Sequence, residues 1–185
     1  AQPSDPPGNT YFNPTLKENG KTVKTRGYCT GVFTQAAIKF ISKNRRRPFF
    51  VYLPYNAPHT PLQVPEVYHR TYAGMNLSNS EFPQNGHPLP PEQTDATARV
   101  YGMVENIDDN VGDLLSHIDS LKLTQKTVVI FLTDNGPQQP RYNSGMRDRK
   151  GSVYEGGIRV PMFVRWPGRY PAGRKYNLVS AHIDV

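Results

Sequence analysis

A single cysteine, Cys29, occurs in 185 residues. One thiol excludes an internal disulfide framework and any zinc site built from several cysteines. Long apolar runs are missing too: the longest, Thr127 to Leu132, has the length of a strand and falls far short of the ~20 residues that cross a bilayer. The opening AQPSDPPGNTYFNP has neither a basic start nor an apolar middle, so it does not read as a signal peptide. There is no Gly-x-Ser-x-Gly elbow of a serine hydrolase. The stretch NGKT at 19–22 ends like a phosphate-binding loop, but Thr15 stands where its first glycine belongs and no strand precedes it. Basic stretches interleaved with aromatics, expected of a nucleic-acid module, are also lacking.

What is present is a proline-rich, basic chain. Eighteen prolines imply long ordered loops, and 22 basic against 15 acidic residues leave a net charge of +7. That surplus suits an anionic partner without specifying which. The run Arg45-Arg46-Arg47 sits between a helical pattern and a strand pattern and reads as a solvated connection.

Residues 1–27, polar and rich in Pro, Gly and Asn, read as an irregular peripheral segment, and 28–185 as the core of one domain. From Thr34, a plausible N-cap, Ala37, Ile38 and Ile41 mark a short amphipathic helix. FFVYLPY at 49–55 has the continuous β-branched and aromatic character of a strand buried on both faces. Residues 66–91 read as a long loop, with a glycosylation-type triplet at Asn76-Leu77-Ser78. Apolar residues then recur every three or four positions from Ala96 to Leu121, a long helix capped by Thr94 or Asp95. Further strands are expected at KTVVIFLTDNG and RVPMFVRWPG. Alternating strands and helices predict an α/β fold with a mostly parallel sheet flanked by helices. In such sheets ligands bind beyond the carboxyl ends of the strands, which singles out the loops after Tyr55 and after Thr133.

Three groups of residues stand at those ends. Asp134 and Asn135 offer one anionic and one neutral oxygen where Gly136 and Pro137 break the strand, as a hard cation requires; the same residues are also ordinary turn formers. His59, between prolines in APHTP, is either a proton donor to a substrate oxygen or a loop histidine bonded to backbone. Lys150, flanked by Gly151 and followed by Glu155-Gly156-Gly157 and Arg159, is either a point charge for a tetrahedral anion or part of a charged surface loop. Asp108 and Asp109 are neighbours on the long helix and so point about 100° apart, unsuited to shared acid–base work.

Taken in order, FFVYLPYNAPHTPLQVP, YGMVENIDDNVGDLL, TVVIFLTDNGP and KGSVYEGGIRVPMFVRWPG resemble successive blocks of the type I sulfatases. The Lys-x-x-x-x-Glu-Gly-Gly-x-Arg-x-Pro pattern is the specific part, and the closing HIDV resembles the start of the next block. The resemblance implies an alkaline-phosphatase-like α/β fold, present here incompletely. It implies that Asp134 and Asn135 are ligands of a single Ca²⁺, or Mg²⁺ in some members, and that His59 and Lys150 contact the sulfate group. It also implies a formylglycine made from Cys or Ser in a Cys/Ser-x-Pro-x-Arg motif. Cys29, in GYCTGVF, lacks that proline and arginine and is expected to be a small scaffold residue.

The expectation is a central fragment of a sulfatase. Its partners would be a sulfated small molecule or carbohydrate and the missing N-terminal part of the same protein, with no nucleic acid. The resemblance implies a secreted, periplasmic or lysosome-like location. Two alternatives stay open: a phosphoric ester hydrolase of the same superfamily using two zinc ions, and an inactive paralogue that binds sulfated glycans.

Overall fold

A computed structural model describes residues 8–77, 89 and 91–185. The segment expected to be irregular holds a hairpin. Strands β1 (Thr15–Glu18) and β2 (Lys21–Lys24) pair antiparallel, Thr15 opposite Lys24. The turn at Asn19-Gly20 has positive φ at both residues, 51° and 81°. Asn-Gly is the pair that tolerates this geometry, which matches the twist of the flanking strands. Alternation of polar and apolar residues over four positions is too weak a signal for a strand when neither face is deeply buried.

Helix α1 (Cys29–Asn44) begins five residues before the expected cap. Thr34 is therefore not an N-cap. It is fully buried within the helix, donating to the Thr30 carbonyl at 2.9 Å and sharing a 2.8 Å hydrogen bond with the Tyr55 hydroxyl. Cys29 is buried, as expected of a scaffold residue.

The long helix α3 (Thr94–Ser120) forms as the periodicity predicts, with Val100, Met103, Ile107 and Ile118 buried. Asp95 lies in its first turn, but no side chain caps it. Part of the expected 66–91 loop is helix α2 (Glu66–Ala73), which starts just after Pro65 and packs along α3. Pro65 is fixed near helical φ and needs no N–H there, so a proline that reads as a breaker marks a helix start instead. The crossing is close: a Cβ on Gly102 would meet the backbone carbonyl of Tyr68 at 3.0 Å. The remainder of that loop, including Ser78 of the glycosylation-type triplet, lies outside the described residues.

The sheet differs from the expectation. Strand β3 (Val129–Leu132) pairs antiparallel with β4 (Met162–Arg165), Ile130 opposite Val164, and both sheets among the described residues are two-stranded and antiparallel. Residues 49–55 take no regular secondary structure and form no ladder among the described residues. Their odd positions are half-buried while Phe50 and Tyr52 remain 84% and 79% exposed. A strand exists only by exchanging N–H and C=O groups with a neighbour. The sequence announces the apolar content of this segment and cannot announce its partner.

A core joins these parts. Tyr11, Cys29, Ala57, Val64, Met103 and Ile107 cluster, with Phe131 of β3, Tyr55 and Val111 packed against them. The loop after Tyr55 and the end of β3 thus rest on one apolar body. No helix among the described residues is long and apolar enough to cross a membrane.

Candidate functional site

Where β3 ends, the chain turns at Asp134, Asn135 and Gly136. Asp134 is exposed and Asn135 half-buried, and the Asn135 amide donates a short hydrogen bond to Asp134 Oδ2. What fixes this turn is backbone. Gly136 N–H donates to the Gly157 carbonyl at 2.9 Å, and Lys150 N–H donates to the Pro137 carbonyl at 3.0 Å. Two segments separated by more than a dozen residues are therefore stitched together, the acid–amide turn on one side and the lysine loop on the other.

The glycines make this possible. A Cβ on Gly136 would stand 1.8 Å from the Gly156 carbonyl oxygen; one on Gly156 would stand 2.0 Å from that of Asp148, and one on Gly157 2.2 Å from that of Ser152. Close approach, not positive φ, is what Glu155-Gly156-Gly157 provides. Both glycines lie in the helical turn α4 (Glu155–Ile158), and Gly156 N–H donates to the Arg147 carbonyl at 2.8 Å. Glu155 pairs with Arg159 at 3.3 Å. An open depression of about 590 Å³ lies here, lined by Ser144, Gly145, Met146, Glu155, Arg159 and Val160.

Lys150 is exposed, and its ammonium has no ion-pair or hydrogen-bond partner among the described residues. His59 is exposed on the other loop. Its Nδ1 lies 2.8 Å from the Thr60 carbonyl, which can only accept, so in the neutral ring Nδ1 carries the proton and Nε2 is the unprotonated nitrogen. The loop is clamped from two sides. Tyr11 Oη donates to the His59 carbonyl at 2.9 Å, and Tyr28 Oη donates to the Gln63 carbonyl at 2.8 Å. Burial raises the Tyr28 pKa well above its usual value, so the donating form is kept. The shared core holds Ala57 and Phe131, short steps along the chain from His59 and Asp134 respectively. No hydrogen bond or ion pair among the described residues links His59 directly to Asp134, Asn135 or Lys150.

Two further residues border this region, and sequence reasoning did not single them out. His182 Nε2 lies 2.9 Å from the Thr133 carbonyl, one residue before Asp134. Arg141 is half-buried on the loop between Pro137 and Lys150; its Nη1 donates to Gln139 Oε1 at 2.9 Å, and burial lowers its pKa from the usual arginine value. Tyr101 of α3 interacts with it electrostatically. A lone arginine in a polar loop carries no periodicity, so only its lack of a nearby acid could have drawn notice.

As a metal site the donors fit a hard cation in kind but not in number. Asp134 and Asn135 present carboxylate and amide oxygens, and no group of three His, Cys, Asp or Glu converges among the described residues.

The sulfatase family model matches residues 2–185. An N-acetylgalactosamine-6-sulfatase of Canis lupus familiaris is 30% identical over 164 residues, covering 84% of this chain and 27% of the relative. The uncharacterized sulfatase YdeN of Escherichia coli (strain K12) is 29% identical over 182 residues, covering 94% of this chain and 29% of the relative. Among solved structures, Ps i-CgsB in complex with k-i-k-neocarrahexaose superposes with a TM-score of 0.71 at 33% identity, covering 86% of this chain and 32% of that one. The chain thus spans under a third of the length of these relatives. A family match over nearly the whole sequence, together with the stitched turn and lysine loop, places this chain in the sulfatase family, with its incomplete alkaline-phosphatase-like α/β fold.

Proposed function

We propose that the whole protein hydrolyses sulfate esters of a sugar or other alcohol, and that this chain supplies part of the metal and sulfate site. The observation that carries the reading is the pair of backbone bonds that hold the Asp134–Asn135 turn against the Lys150 loop. The reaction consumes water and the ester, breaks the sulfur–oxygen bond, and releases the alcohol, sulfate and a proton. Asp134 and Asn135 would hold a Ca²⁺ (Mg²⁺ being the alternative), which supplies positive charge to the sulfate oxygens when bound. Lys150 adds a second, unspent cation for the same oxygens. His59, with its proton on Nδ1 when neutral, takes up a second proton at Nε2 and delivers it to the departing oxygen.

The formylglycine nucleophile that the family implies has no precursor here, because Cys29 is buried in the core and lacks the Pro-x-Arg continuation. It belongs to another part of the whole enzyme, which is also the partner proposed to cover Phe50 and Tyr52. The proposed substrate class is a sulfated carbohydrate, as the names of the similar sulfatases suggest, and the proposed setting is secreted, periplasmic or lysosome-like.

The test uses the full-length protein. Metal analysis is expected to find one calcium per chain, Asp134→Ala to abolish its binding in calorimetry, and ion chromatography to detect sulfate released from a sulfated sugar by the unmodified protein. Two zinc ions per chain would favour a phosphoric ester hydrolase. Salt-sensitive glycan binding that survives Asp134→Ala, without turnover, would favour an inactive binding protein. The 185 residues alone, given Ca²⁺ and an aryl sulfate, are expected to release no sulfate above background.

A further inference from the structure

Arg141 is a cation that the sulfate half-site does not use. Four other arginines, Arg70, Arg99, Arg159 and Arg165, each have a carboxylate partner. Arg141 has none among the described residues; its one hydrogen bond goes to the neutral Gln139 amide, two residues away on the same loop. Drawing a guanidinium partly out of water without an opposing charge is unfavourable, and a single acceptor leaves donors of its five N–H groups unspent.

The loop that carries it is built as a closed ring. The Lys150 N–H to Pro137 carbonyl bond joins its ends across Gln138–Arg149. Inside, the buried Asn143 amide donates to the carbonyls of Met146 at 3.0 Å and Asp148 at 2.9 Å. A compact loop whose ends meet and whose interior is bonded holds its other side chains in place. Those side chains are cationic: Arg141, Arg147 and Arg149 stand against Asp148 alone. Arg147 lies over the Tyr154 ring at 3.7 Å, and none of the three arginines makes an ion pair among the described residues. Lys150 stands at the neck of this ring.

We propose that the closed loop is a second anion subsite, with Arg141 as its main ligand, and that it receives a second sulfate or a carboxylate on the same saccharide whose sulfate ester meets Lys150. The proposal rests on the sulfatase reading and deepens it: the favoured substrate carries two negative groups. The guanidinium fork matches the paired oxygens of either anion, which the ammonium of a lysine does not.

The experiment compares three substrates in the full-length protein: a monosulfated hexosamine, the same sugar with a second sulfate, and the monosulfated sugar linked to a uronic acid. With Arg141→Met, kcat/KM for one of the doubly charged substrates is expected to fall about tenfold or more beyond any fall for the monosulfated sugar, the scale of a charge-assisted hydrogen bond. Whichever doubly charged substrate shows the excess loss identifies the second anion as sulfate or carboxylate. Arg141→Lys is expected to recover part of the difference. Equal losses on all three substrates would overturn the proposal and leave Arg141 a structural support of the loop. If the unmodified protein turns over none of them, the sulfatase reading fails. Calorimetric binding of the doubly charged sugars to the unmodified and Arg141→Met proteins then decides the subsite separately, and equal affinity overturns it.

Discussion

Gly136→Ala tests the physical claim on which the site depends. The added methyl carbon would stand 1.8 Å from the Gly156 carbonyl oxygen and 2.8 Å from its carbonyl carbon, where contact normally begins at 3.4 Å. Both obstacles are backbone, so no side chain can swing aside. The two segments must part by more than an ångström, breaking the Gly136–Gly157 bond and loosening the Lys150–Pro137 bond beside it. Overpacking of this kind costs about 1–3 kcal/mol. The functional loss is expected to be larger than stability alone accounts for, because the acid–amide turn moves away from the lysine. Displaced metal-site supports typically lose about 10–100-fold in affinity. The assay is calorimetric calcium binding by the full-length protein, with denaturant unfolding in parallel. Gly112→Ala is the control: its Cβ meets nothing within 4 Å on the exposed face of α3, and replacing a helical glycine there is expected to stabilise by about 0.5–1 kcal/mol. A Gly136→Ala protein with unchanged calcium affinity and turnover would refute the stitched-loop account.

Burial raises the pKa of Tyr28, Tyr55 and Tyr101, so their stabilisation is complete below the ordinary tyrosine value of about 10 and is lost above it, as pH rises through the raised folded values. Denaturant midpoints are expected to fall steeply above that pH, and less steeply in Tyr28→Phe. The Asp95 carboxylate is held below its usual pKa by Arg99 first and His69 second, so it stabilises at neutral pH and ceases to as pH falls through that lowered value. Because Asp95 is 62% exposed, Asp95→Asn is expected to lower stability at pH 7 by well under 1 kcal/mol, and not at all in strong acid.

The parts of this fold that were legible in the sequence are those whose signal is local. Helix α3 buries Val100, Met103 and Ile107 because a 3.6-residue period creates its own apolar stripe, readable without knowing the neighbour. Helix α1 was misplaced at its start because Thr34, a good capping residue by type, spends its hydroxyl on Thr30 and Tyr55 inside the core. Residues 49–55 announce a strand through a continuous β-branched and aromatic run, yet a ladder needs a partner at a distance, and no periodicity encodes one.

The candidate site divides along the same line. Asp134, Asn135 and Lys150 were nameable from residue type and motif, but the reason they lie together was not: three glycines whose missing side chains let carbonyl oxygens approach to where a Cβ would sit. In the sequence Gly156-Gly157 was compatible with either close approach or positive φ, and only the positions of the Asp148 and Ser152 carbonyls decide between them. The specific portion of the motif is therefore not its chemistry but its packing. Lysine and glutamate could be exchanged between many loops, whereas a loop folded tightly enough to bring residue 150 to residue 137 leaves room for hydrogen alone at 136, 156 and 157. That constraint does not reach Arg141: it sits half-buried on the same ring with no carboxylate partner among the described residues, and no spacing or motif marks such a position in the sequence.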